Sequence, residues 1–152
     1  MNRQWILLLI SVLIFAGCDS KYELGDYYKS GDTKGIVVQV DAEGNPLLIL
    51  SLFEAENVDA DSAQKWVATL EGDGWQLPDK GEMEQINKYK SLINKTLERK
   101  GMPTILKNHT FYWTATPCSE SHTYACGPDG TRCYFNQNAS PLYRSRAVKK
   151  LK

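Results

Sequence analysis

Four side chains able to do soft-ligand or thiol chemistry crowd into CSESHTYACGPDGTRC, residues 118–133: Cys118, His122, Cys126 and Cys133. Three chemistries use such residues: a zinc site, a disulfide, or a thiolate nucleophile with a histidine base. Zinc is a poor match. The spacing Cys-x3-His-x3-Cys-x6-Cys differs from structural sites, which use cysteine pairs two to four apart. Pairing Cys118 with His122 as nucleophile and base would need a basic environment to favour the thiolate. The neighbouring Glu120 has the wrong sign. A disulfide needs only an oxidising compartment, so the question passes to the start of the chain.

That start reads MNRQWILLLISVLIFAGCDS. Arg3 gives a positive beginning, Trp5 to Phe15 are apolar except for Ser11, and Ala16-Gly17 are small residues before Cys18. This is the pattern of a secretory leader. The run is shorter than the roughly 20 residues of a permanent membrane helix. Phe-Ala-Gly-Cys resembles a bacterial lipobox, with Phe15 where leucine is commoner. The resemblance implies removal of residues 1–17, acylation of Cys18 and attachment to the membrane through several chains. It also implies a place in the bacterial cell envelope, at the outer membrane or cell surface rather than the inner membrane. Export favours one disulfide among Cys118, Cys126 and Cys133. Their pairing stays open. A two-residue turn at Asp129-Gly130 would set Cys126 opposite Cys133. Pro128 in the second turn position with a bulge at Gly130 would set Cys126 opposite Arg132 and leave Cys118 as partner of one of the others.

Without the leader about 130 residues remain, enough for one domain with a modest core. The full chain has 18 basic and 18 acidic side chains; losing Arg3 leaves 17 against 18, and no basic excess points to nucleic acid. Aromatic residues at 11% exclude a disordered tail. The two histidines, His109 and His122, come with no serine-nucleophile elbow, so no enzyme, cofactor or metal is expected. Residues around Glu120, Asp129, Asn136 and Asn138 lack the ordered pattern of a calcium-dependent sugar site. Asn138-Ala139-Ser140 fits a glycosylation sequon whose machinery is not expected behind a lipobox.

The elements that must position these residues can be read in order. Residues 18–34, polar and punctuated by glycine, suggest a lipidated tether, leaving 35–152 as the domain. GIVVQVDAEGNPLLILSL (35–52) predicts a hairpin around a turn cluster. FEAENVDAD (53–61) predicts an acidic loop. Ala63, Trp66, Val67 and Leu70 recur at helical spacing within 62–74, with Asp61 or Ser62 as cap. Asp79 and Glu82 form a capping-box pair opening a second helix, with a possible break near Ser91 and stop signals at Gly101 and Pro103. HTFYWTAT (109–116) and LYRSRAV (142–148) are strand-like. Strands, two helices, then strands define an α+β chain with segregated elements.

The ordered phrases GWQLP (74–78), Glu82-Met83, YWTAT (112–116) and YRSRAV (143–148) are similar to those of the Lcl C-terminal-like domain family, found in collagen-like adhesins and bacterial surface lipoproteins. Gln76, Asp79, the Thr-Ala-Thr ending and the spacing of the closing arginines depart from the family's usual letters. The resemblance implies a C-type-lectin-like fold, two helices packed on small antiparallel sheets with a long irregular loop region at about 117–141. It implies a non-catalytic binding or adhesion module for a glycan or a surface protein, the alternative being a structural or capping subunit of a surface assembly. Tyr124, Tyr134, Phe135, Asn136 and Asn138 are the contacts expected in the loop. Arg144 and Arg146 belong to the basic ending RSRAVKKLK, either a docking patch for acidic ligands or, in the reading preferred here, arginines on the solvent face of a terminal strand.

Overall fold

The computed structural model describes residues 21–105, 110–136 and 142–152. Cys18, the expected leader, His109 and Asn138 lie outside them. The described chain is an α+β mixture of three helices and two five-stranded sheets.

The first sheet has the order β1-β2-β3-β10-β5, formed by Tyr27–Ser30, Thr33–Val40, Pro46–Leu50, Val148–Lys150 and Trp75–Gln76. The predicted hairpin is β2–β3, with Asp41 organising its turn. Its carboxylate accepts from the N–H groups of Glu43 and Asn45 and from the Asn45 amide. The segment expected to be a tether departs from expectation at Tyr27. Tyr27–Ser30 pairs along β2, and Gly25 and Asp26 extend that pairing to Val37. An edge strand needs one apolar side only, and Tyr27 supplies it by packing on the core. The polar text around Tyr27 concealed that.

The second sheet has the order β4-β9-β6-β7-β8, with β4 at Ala55–Val58, β6 at Tyr112–Ser119, β7 at His122–Gly127, β8 at Gly130–Phe135 and β9 at Tyr143–Ser145. The acidic loop expected at 53–61 therefore contains a strand. All pairs are antiparallel except β6 with β9.

Helix α1 (Ala60–Val67) is capped by Asp59, whose carboxylate accepts from the Ser62 N–H. The cap precedes the two residues proposed for it, and the helix ends at Val67 instead of continuing toward Gly74. The capping box at Asp79 and Glu82 forms as predicted. Helix α2 (Lys80–Lys88) stops at Tyr89, which leaves helical angles at φ −102°, ψ 13°, before α3 (Lys90–Arg99). The expected second helix is thus two.

Strand parity divides the interior. Tyr112 and Cys126 on one face of the second sheet join Ile36, Leu50, Met83, Ile93 and Val148 between the sheets and α2–α3. Trp113 and Ala125 on the other face join Ala63, Val67, Leu77 and Tyr143 beneath α1. The chain passes from one sheet to the other four times, twice by a direct step from strand to strand. β3 leads into β4 through Ser51–Glu54, and β9 leads into β10 through Arg146-Ala147. These crossings lie side by side: Ser51 N–H donates to the Ala147 carbonyl, and Ala147 N–H donates to the Ser51 hydroxyl.

Candidate functional site

The cysteines resolve first. In β7–β8 the last paired residues are Gly127 and Gly130, so Pro128-Asp129 is the loop and Cys126 lies opposite Thr131. Neither expected register occurs. Proline's fixed φ suits the first loop position, and Gly130 closes the turn at φ +119°. The bridge joins Cys118, near the end of β6, to Cys133 on β8, with Cα atoms 6.3 Å apart. It therefore ties together the two strands that flank β7. Cys126 is the free, buried thiol, raised above its ordinary range first by burial and also by Glu84. Such a thiol is a weak nucleophile. His122 faces the hydroxyls of Ser119 and Ser121, each 2.9 Å from Nδ1. Among the described residues no three His, Cys, Asp or Glu gather as a metal cluster.

Of the five expected loop contacts, Tyr124, Tyr134 and Asn136 have described side chains, and these do not converge. Tyr134 lies opposite Thr123, one position from the Tyr124 pairing, so the two rings occupy opposite faces of the sheet. Tyr134 packs edge-on with Tyr143 at 4.7 Å and Phe111 at 5.7 Å, inside the cluster beneath α1. Its neighbour Tyr143 carries a raised phenol, first through burial and then through its hydrogen bond with Tyr134. Tyr124 is half-buried with the Lys80 ammonium 4.9 Å from its ring centre. Asn136 is a joint: its amide oxygen accepts from the Thr123 hydroxyl at 2.7 Å, and its carbonyl accepts from the N–H groups of Ala60 and Asp61 at the start of α1. Of Phe135 only the backbone, in β8, is described.

The two arginines also depart from expectation. Arg146 is fully buried, not on a solvent face. Its guanidinium donates to the carbonyls of Ser51 and Pro103 at 3.1 and 2.7 Å and to Glu54 Oε2 at 3.0 Å. It fills the junction where the chain crosses between sheets. Arg144, with its side chain 34% exposed, pairs with Glu54 and with Glu56, the latter at 3.0 Å. Burial pulls its guanidinium down, but the charges of Glu54, Tyr112 and Glu56 together outweigh that and raise it. The Tyr112 hydroxyl donates to Glu54 at 2.6 Å, and its phenol is raised by burial first, then by the Glu54 charge. Glu54, with a side chain only 2% exposed, is therefore the hub of a network that reasoning from sequence missed. The available signal was two acids and two arginines, each pair spaced i and i+2: Glu54 with Glu56, and Arg144 with Arg146. A cleft of about 220 Å³ opens beside it, lined by Pro103, Thr104, Thr110, Tyr112 and Arg144. With every charge paired, this cluster reads as a structural lock.

A groove of about 520 Å³ is bounded by Tyr27, Asp32, Phe53, Leu70, Glu71, Trp75 and Met102. Phe53 is 60% exposed there. The indole N–H of Trp75 donates to the Glu71 carbonyl, and Lys149 approaches the ring to 6.0 Å. Its aromatic residues come from β1, the first crossing and β5, and the others from the segments after β1, α1 and α3, so no local phrase announced the groove. No family model and no curated protein matches the chain.

Proposed function

We propose that this chain is a lipid-anchored, non-catalytic binding module of the bacterial cell envelope, C-type-lectin-like in fold, that recognises a glycan. The anchor reading rests on FAGC at residues 15–18, and the fold reading on the ordered phrases from GWQLP to YRSRAV. The return of the last strand beside β3 agrees with that fold reading. The observation that carries the binding function is the groove between Tyr27, Phe53 and Trp75, where aromatic surface adjoins Asp32, Glu71 and Lys34. Aromatic rings pack on the C–H faces of sugar rings, while carboxylates and ammonium groups orient hydroxyls. Pockets that bind small ligands combine the same two ingredients. This moves the expected contacts away from Tyr134, Asn136 and Arg146, whose side chains are spent on internal packing.

The test is a glycan array probed with the acylated protein in detergent, with and without chelator. Binding should survive chelation and weaken about tenfold in Phe53→Ala, the equivalent of about 1.4 kcal/mol for one stacking contact. Because Phe53 is exposed, melting should be unchanged. Binding that is indifferent to this substitution would remove the groove from the reading. Retrieval of a stoichiometric protein partner in place of glycan would replace the reading with that of a subunit. Palmitate labelling abolished by Cys18→Ser tests the anchor separately.

A further inference from the structure

If Cys18 carries the lipid, the folded domain starts almost at the bilayer. Only Asp19 and Ser20 separate Cys18 from Lys21, and Tyr22 already donates its N–H to the Gly44 carbonyl at 2.9 Å. Three residue steps reach no more than about 11 Å. The polar layer of one leaflet takes up roughly 5–8 Å of that. A domain on so short a leash cannot swing clear of the surface.

We infer that one particular face rests on the lipid head groups: the outer side of β1 and β3 together with the β2–β3 turn. This deepens the lipid-anchor reading and rests on it. Three observations place that face. Lys21 lies against Gly44, so the chain enters at the turn. Leu151 donates its N–H to the Leu47 carbonyl, which brings the segment after β10 to the same spot. Between them runs a cleft of about 590 Å³, bordered by Tyr22, Tyr28, Lys29, Leu47 and Lys152.

The chemistry suits a head-group layer. Tyr22 and Tyr28 lie with ring centres 5.6 Å apart, and Leu47 is exposed beside them. Tyrosine is enriched at this depth because its ring is apolar and its hydroxyl is wet. Lys21, Lys29 and Lys152 are exposed around the rim and can meet anionic head groups. Asp41 is bound within its own turn, and the acids left exposed nearby are Glu43, Glu23 and Asp26, against the exposed Lys21, Lys29 and Lys152.

The experiment uses the acylated protein in vesicles or nanodiscs of phosphatidylethanolamine with a minority of phosphatidylglycerol, plus lipid carrying a spin label on its head group. Amide NMR signals of residues 21–22, 28–30, 43–45, 47 and 151–152 should lose intensity, while those of β7 and β8 keep theirs. Intact mass on the same sample separates the two readings. A chain without acyl groups at Cys18 would overturn the anchor and this inference together. An acylated chain whose signal loss is even, or centred on other residues, would overturn this inference and leave the anchor standing.

Discussion

Replacing Arg146 by methionine should unfold the chain far more readily than the same change at Arg144, two residues earlier. Methionine fills part of the volume but donates nothing. The Ser51 and Pro103 carbonyls would lose their donor, and Glu54 would lose one of its two cations while staying buried. Breaking a buried pair from one side costs about 3–5 kcal/mol, because the remaining charge has no solvent to return to. At roughly 3 °C per kcal/mol for a domain of this size, the melting point should drop by about 10–15 °C. Arg144→Met leaves Glu54 with Arg146 and the Tyr112 hydroxyl, and frees the exposed Glu56 to water. With a third of its side chain in solvent, that loss should be about 1 kcal/mol. Urea titration of leaderless Cys18→Ser protein, monitored by circular dichroism and analysed at constant slope, gives both values. Equal costs for the two variants would refute the assignment of Arg146 as the link between the sheets.

Removing the bridge with Cys118→Ser and Cys133→Ser together should cost about 3 kcal/mol, from the 15-residue separation it closes, read in the same titration. In leaderless Cys18→Ser protein, Ellman's reagent should find no reactive thiol in the native state and one in denaturant, that of Cys126. Gly35→Ala would put a Cβ 2.7 Å from the Leu50 carbonyl oxygen and should destabilise by about 1–3 kcal/mol, seen as an earlier thermal midpoint. The raised phenols of Tyr112 and Tyr143 stay protonated in the native state at pH values where unfolded phenols, with pKa about 10, ionise. Native stability is therefore intact below about pH 10 and falls as pH climbs beyond it. Tyr112→Phe should flatten that alkaline fall in urea midpoints.

What the sequence disclosed was what local physics controls. The Asp79–Glu82 box and the β2–β3 hairpin follow from capping and turn preferences within a few residues, and both formed. Tyr27 was misread because an edge strand's ladder depends on a partner several residues away, not on its own composition. Glu54 and Arg146 were misread for a related reason. Their pairing spans some ninety positions, and each alone looks like an ordinary surface charge. The β7–β8 register lies one residue from the expected arrangement that left Cys118 as a bridge partner, and two from the one that set Cys126 opposite Cys133; the bridge joins Cys118 to Cys133. The groove was invisible because Tyr27, Phe53 and Trp75 meet only through the order of strands in the first sheet and the crossing beside it.

The position of β10 has a consequence for how the molecule comes into being. Its three residues, 148–150, lie between β3 and β5, so β5 has no link to the rest of the first sheet until they are in place. Arg146, two residues before it, completes the junction at the same moment. Any process that delivers the polypeptide amino end first would therefore hand over an open chain, with Leu48, Ile49 and Leu50 lacking their neighbour. Assembly must await the closing strand, and contacts this distant in sequence make that step slow. Such a polypeptide closes its first sheet only when residues 148–150 have joined β3 and β5.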